Sequence, residues 1–252
     1  MKLKSQKSKL VVRGYKKRFY ASYVSALNSH LYGEINVSDI ERQYPAWKSQ
    51  FGRFLPSNTG AFIVDLGCGN GGLVSWLHSQ GFINAGGVDV SKEQIELGKR
   101  LRIRHLVCRD IFDFLKKQPE SFDTIFIRDV LGHFSKPEVL EILELIYTSL
   151  RPGGRIVVKT PNAESPLSGR LRYGDFTHDV SFTSSSLRQV LKVCGFQKTK
   201  VFRVPPAVHG FVSFTRNILW VCIEFFIKLY RLIEAGSGEG IFTQNIIAVG
   251  EK

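Results

Sequence analysis

The chain has 252 residues, 43% of them hydrophobic and 12% aromatic. That supports one α/β core of ordinary size, excludes a disordered composition and is short for two independent domains. The formal net charge of +13 is concentrated at one end: Lys2, Lys4, Lys7, Lys9, Arg13, Lys16, Lys17 and Arg18 fall within residues 1–18, and no acid precedes Glu34.

This basic stretch is followed by no apolar h-region or small-residue cleavage site, so it is not expected to act as a signal peptide. It suits a solvated tail, an anionic membrane surface or nucleic acid. The expected organisation is a basic arm over 1–37 and one domain over 38–252, with a helical insertion at about 205–240. Cys68, Cys108, Cys194 and Cys222 stand far apart among apolar neighbours, without C-x-x-C spacing. They are expected as buried, reduced thiols in a cytosol-like compartment rather than as disulfides or zinc ligands.

In chain order, Ser38 with Glu41 has capping-box spacing and opens a helix. "AFIVDL" (61–66), "GGVDV" (86–90), "HLVC" (105–108), "FDTIFIR" (122–128) and "GRIVVKT" (154–160) are short, mostly uncharged runs, as strands buried on both faces should be. Helical patterns separate them, so a parallel sheet covered by helices is predicted. Ser91 with Gln94, and Ser135 with Glu138, start two of these helices. Val139, Leu143, Ile146 and Leu150 form the apolar face of the second, which Pro152-Gly153-Gly154 is expected to stop. Thr183 to Ser186 start a further helix, with Gly195 at its end. "FQKTKVFRV" (196–204) and "IFTQNIIAV" (241–249) are strand-like. Between them, residues 211–233 confine Asn217, Glu224, Lys228 and Arg231 to one narrow stripe at helical spacing.

"VDLGCGNGG" (64–72) satisfies G-x-G-x-x-G through Gly67, Gly69 and Gly72, and a tighter G-x-G-x-G through Gly67, Gly69 and Gly71. A dinucleotide would place its pyrophosphate against this turn, and Asp65, two residues before the first glycine, would repel it. S-adenosylmethionine (SAM) carries an α-ammonium and a sulfonium and no phosphate, so Asp65 suits it. Asp89, 18 residues past Gly71, can accept from both ribose hydroxyls of either ligand. Asp110 can accept from an adenine amino group while Ile111 lies on the ring.

"VDLGCGNGG", "GVDVSKEQIELGK", "RDIFDFL", "FDTIFIRDVLGHF" and "LRPGGRIVVKTPN" together resemble the ordered motifs of class I SAM-dependent methyltransferases over about residues 60–200. "YPAWKSQFGRFLP" and "RYGDFTHDVSFTSSSLRQVLKVCGF" resemble bacterial methyltransferases of polysaccharide and lipopolysaccharide biosynthesis. The resemblance implies a Rossmann-like seven-stranded sheet whose last strand is antiparallel, and a cofactor held by Asp65, Gly67, Gly69, Asp89, Asp110 and Ile111, with Cys68, Val90 and Arg128 beside them. The acceptor expected is a hydroxyl of a lipid-linked surface-glycan precursor, with the protein cytoplasmic or peripheral on the inner face of the membrane.

A sugar hydroxyl must lose its proton to become a good nucleophile, and a positioned histidine contributes typically ~10²- to 10⁴-fold. His133 follows the fourth strand at the sheet's carboxyl edge, where ligands of open α/β folds bind. His178 lies in "GDFTHD", where Asp175 or Asp179 can orient it. Asp175, His178 and Asp179 would bind a metal only if they shared a helical turn, and no metal is expected. The [DNS]-P-P-[YF] signature of base-nitrogen methylation is absent at Arg128 to Leu131, and nucleic acid is not the expected partner. RNA ribose or ring-carbon methylation, and a non-catalytic SAM-binding protein at a membrane, are the alternatives. The apolar arc of 211–233 is open to a membrane, a second copy or the chain's own core.

Overall fold

The computed structural model describes Phe19, residues 35–206 and residues 210–252; the basic stretch 1–18, and with it most of the expected arm, lies outside the described residues. Five parallel strands form the body of one sheet: β1 (Ile63–Leu66), β2 (Gly86–Asp89), β3 (Leu106–Cys108), β4 (Phe122–Arg128) and β5 (Leu150–Pro161). β6 (Gln197–Arg203) and β7 (Asn245–Glu251) complete it in the order β3-β2-β1-β4-β5-β7-β6, with β7 antiparallel to both neighbours. This is the sheet of class I methyltransferases. Its connections reverse direction between β1 and β4, which opens a crevice beyond the carboxyl ends of those two strands.

Alternation along the strands fills both faces. Val64, Leu66, Ile125, Ile127, Ile156 and Val158 point to one side. There they meet α5 (Ile111–Leu115), α6 (Lys136–Ser149) and α8 (Ser184–Val193). Ile63, Phe126, Val157 and Ile247 point to the other. That side is covered by α1 (Val37–Glu41), α2 (Tyr44–Phe51), α3 (Gly72–Ser79) and α4 (Lys92–Arg100). Phe51 of α2 meets the fully buried Phe126 edge-on at 5.5 Å.

Several local expectations are corrected. Asn36 with Asp39, not Ser38 with Glu41, makes the first capping box, because the helix begins at Val37. α6 ends at Ser149 and Pro152-Gly153-Gly154 lies inside β5, so the glycines serve the bend of a strand rather than the end of a helix. β7 starts at Asn245 rather than 241, because the side-chain amide of Asn162 binds the carbonyls of Ile241 and Thr243 and holds that stretch out of the ladder. Cys68 and Cys194 are buried but Cys108 and Cys222 are exposed, and all four thiols are free.

The insertion forms α9 (Phe211–Ala235), turned opposite to an ordinary surface helix. Its stripe faces the body: Glu224 is buried and ion-paired with Arg203 of β6 at 2.8 Å, and Lys228 approaches the same carboxylate at 3.5 Å. Its apolar arc faces outward and does not pack on the core that the described residues form.

Candidate active site

The β1–α3 turn uses the tighter glycine spacing. Gly67, Gly69 and Gly71 all have positive φ, at 73°, 56° and 81°, whereas Gly72 already belongs to α3. A Cβ on Gly67 would stand 2.2 Å from Val130 Cγ2, so this glycine lets the β4 end close against the turn. A Cβ on Gly69 would meet nothing nearer than 3.8 Å, so this glycine clears space rather than filling it.

Asp89 ends β2 and ties the turn down. One carboxylate oxygen accepts from Gly69 N at 2.8 Å and the other from Ser91 N at 2.8 Å. A carboxylate has about four lone-pair sites, so two ribose hydroxyls can still be accepted. Burial raises the Asp89 carboxyl above its ordinary value, partly offset by these backbone bonds. Val90 beside it is exposed, as a surface for an adenosine moiety requires.

Asp65 is placed differently from expectation. It is fully buried, and Arg128 at the end of β4 donates to it through Nε at 3.3 Å and Nη2 at 2.9 Å. Burial raises the carboxyl, and the guanidinium pulls it back. The pair locks β1 to β4 beneath the crevice, so the Asp65 carboxylate reaches a cofactor ammonium only beside Arg128. Trp47 of α2 stands on the other side of the guanidinium at 5.9 Å. The Cys68 side chain packs toward Gly87, where a Cβ would meet Sγ at 2.7 Å. Asp110 is the N-cap of α5, accepting from Phe112 N at 2.9 Å and Asp113 N at 3.2 Å, and Ile111 is 7% exposed.

Across the crevice, Leu131–His133 form a single 3₁₀ turn after β4. The segment 175–180 lies over it, because Asp179 N and Val180 N both donate to Gly132 O, at 2.8 and 3.1 Å. The fit at 132 is close: a Cβ there would stand 3.2 Å from the His178 ring. His133 and His178 thereby meet, ring centroids 4.5 Å apart.

Hydrogen-bond direction fixes their tautomers. Thr177 Oγ1 lies 2.6 Å from Asp175 Oδ1, and an ionised carboxylate only accepts, so the threonine spends its proton there. The same oxygen, 2.8 Å from His133 Nδ1, must then accept from that nitrogen. Asp175 is held ionised because its bonds from Thr177 outweigh the opposing effect of burial, with both histidines adding to them. His178 Nδ1 lies 3.2 Å from Leu171 O, which also only accepts. Both imidazoles in their neutral form therefore carry the proton on Nδ1 and the basic lone pair on Nε2. Asp175 acts on His133 through Thr177, and the Leu171 carbonyl binds Nδ1 of His178.

His133, Asp175 and His178 offer ligand atoms that all lie within 4.8 Å of one another, a set that could hold a metal ion and differs from the Asp175, His178 and Asp179 set considered from sequence. Sequence reasoning missed Thr177, although its place two residues after Asp175 is the spacing of a local side-chain turn. It also missed Asp129. This residue takes φ 57°, is pinned by Asp129 N to Lys159 O at 2.8 Å and an ion pair with Lys159 at 2.9 Å, and lines a cleft with Gly132, Arg172 and His178.

A family model described as a methyltransferase domain matches residues 39–201. The human N-terminal Xaa-Pro-Lys N-methyltransferase 1 is 31% identical over 140 residues, 53% of this chain and 62% of that protein. A ubiquinone biosynthesis O-methyltransferase of Xylella fastidiosa is 32% identical over 109 residues, 41% of this chain and 43% of that one. The chain thus spans less than two thirds of the length of these relatives. A SAM-dependent methyltransferase structure from Archaeoglobus fulgidus superposes with TM-score 0.64 at 21% identity, covering 86% of this chain and 100% of the other. At that identity the likeness speaks for the fold, whereas the family match covers well over half of the sequence: the chain belongs to the methyltransferase domain family and has the fold of SAM-dependent methyltransferases.

Proposed function

We propose that this protein transfers the methyl group of SAM to a hydroxyl of a lipid-linked precursor of a bacterial surface glycan. The single observation that carries the chemistry is the pair of oriented imidazoles, His133 and His178, across the crevice from the glycine turn. The turn fits the cofactor: Gly69 leaves room, Asp89 has capacity for ribose hydroxyls, and Val90 is exposed. Gly67, Gly69, Asp89 and Val90 would hold it, with Asp110 and Ile111 at the adenine end and the Asp65–Arg128 pair beneath. When bound, SAM supplies an electrophilic methyl group on a sulfonium.

The chain's own task is alignment and proton removal. His178 Nε2 takes the proton of the acceptor hydroxyl as the oxygen attacks. His133, held by the Thr177–Asp175 relay, stands beside it, and the proton passes on to solvent. Arg172 and Asp129 stand beside His178 at a recess of about 10 Å³ and meet the acceptor's polar groups at its rim. Support for a glycan acceptor is the resemblance of the "YPAWKSQFGRFLP" and "RYGDFTHDVSFTSSSLRQVLKVCGF" segments to enzymes of that chemistry.

A peptide amine is the second reading, favoured by the identity with the human N-terminal methyltransferase. Mass spectrometry of surface glycans and of protein N-termini, from cells with and without the gene, tests both. Loss of a methyl group from a glycan supports the first; loss from an N-terminus with unchanged glycans replaces it with the second.

A further inference from the structure

α9 attaches to the body by its polar stripe and leaves its apolar arc outside: Phe211, Leu219, Phe225, Phe226, Tyr230 and Ile233 are all more than 60% exposed. No described helix is long and apolar enough to cross a membrane, so the arc does not belong to a span. It is continuous with a second apolar surface. Pro166 lines one groove of about 530 Å³ together with Phe226 and Tyr230 of α9. The next residues lead into α7 (Ser168–Tyr173), which with its flanks exposes Leu167, Tyr173 and Phe176.

This second surface borders the reaction site. Arg172 of α7 lines the cleft of His178 and Asp129, and Phe176 lies between Asp175 and Thr177. Phe19 stacks on Phe176 with centroids 5.8 Å apart. Arg170 and Arg172 add positive charge on α7 itself. One edge of the molecule thus combines exposed aromatic and aliphatic side chains, the guanidinium groups of Arg170 and Arg172 and the recess beside His178.

We propose that this edge docks on an anionic lipid bilayer, with α9 lying in the plane of the interface and the acceptor cleft opening toward the lipid. Charge selects this occupant. A second copy would bring two chains of net charge +13 together through the same cation-bordered surface, whereas anionic headgroups complement it. The arc itself has the composition of an interfacial helix, apolar and aromatic on one side and polar on the other. The inference deepens the reading of a lipid-linked acceptor, but its test needs neither acceptor nor turnover.

The full chain is mixed with vesicles of phosphatidylcholine alone, or of phosphatidylcholine with phosphatidylglycerol, and floated. Flotation is expected with the anionic vesicles only, falling roughly tenfold or more for Arg170→Glu/Arg172→Glu. Phe226→Glu, at an exposed position, should reduce it as well, with SAM affinity unchanged as the control for folding. Maleimide labelling of Cys222, exposed on α9, should slow when anionic vesicles are present. Failure to float with anionic vesicles overturns the proposal. So does a stable dimer in solution that Phe226→Glu dissociates while vesicles leave Cys222 labelling unchanged, which would assign the arc to a second copy. A protein that docks as expected but leaves surface glycans unaltered would refute the acceptor and keep the lipid surface.

Discussion

Asp65 and Arg128 form a two-bond ion pair between neighbouring parallel strands, with the carboxylate fully buried and the guanidinium nearly so. Breaking a buried pair by removing one partner leaves an uncompensated charge and typically costs about 3–5 kcal/mol. Asp65→Ala should therefore lower stability by that order in urea unfolding. Asp65→Leu combined with Arg128→Met should recover much of it, because neither charge remains. If the pair also serves the cofactor, the double variant folds yet binds SAM weakly by calorimetry; normal SAM affinity in that variant would confine the pair to the scaffold.

Asp89 carries a pH signature. It anchors Gly69 and is proposed to hold the ribose, so Asp89→Ala loses hydrogen bonds to a charged group worth ~1.5–3 kcal/mol each. SAM affinity should fall about a hundredfold or more on calorimetry. The ligand needs the ionised carboxylate, and burial holds its pKa above the ordinary aspartate value of about 3.9. Affinity is thus full well above that raised pKa and is lost as pH falls through it, earlier than an ordinary aspartate would dictate. An affinity constant down to the ordinary value would exclude Asp89 as the anchor.

The histidine pair makes a kinetic prediction. His178→Ala should lower kcat by ~10²-fold or more with SAM affinity nearly unchanged. Thr177→Val removes the hydroxyl that fixes the His133 tautomer and separates it from Asp175. Turnover should then fall with SAM affinity unchanged, since the His133 ring loses the bond that fixes its orientation. Dialysis against EDTA should leave turnover intact if the rings act as bases. Activity lost to the chelator and restored by a divalent ion would instead make His133, Asp175 and His178 ligands.

Much of this was legible in the sequence, for identifiable reasons. Strands buried on both faces read as uninterrupted apolar runs, and Ile125-Phe126-Ile127 was found because neither face tolerates charge. The glycine turn and the strand-end acids were visible because their spacing is local. What was not visible depended on partners distant in sequence. Nothing local shows that Arg128, 63 residues later, binds the Asp65 carboxylate. Nor does anything local show that Asp175 reaches His133 through Thr177, since His133 lies 44 residues before that threonine. The stripe on α9 was read correctly as a stripe, but which side of it met the body was set by Arg203 on another element.

The cysteines give a direct check on how closed the cofactor end of the fold is. Cys68 packs under the glycine turn against Gly87, and burial pushes its thiol well above the ordinary value. Burial likewise raises the Cys194 thiol to about 11. Only the thiolate reacts with a disulfide reagent, so at pH 8 Cys194 would offer about one part in a thousand of its thiol, behind a buried approach. Cys108 and Cys222 are exposed, so a reagent can reach them. Two of the four thiols should therefore react quickly with such a reagent, and all four after unfolding in urea. Peptide mapping should find the early label on Cys108 and Cys222. Early label on Cys68 would mean that the β1–α3 turn opens readily, and the packing of Cys68 against Gly87 could not then be what holds the turn in place.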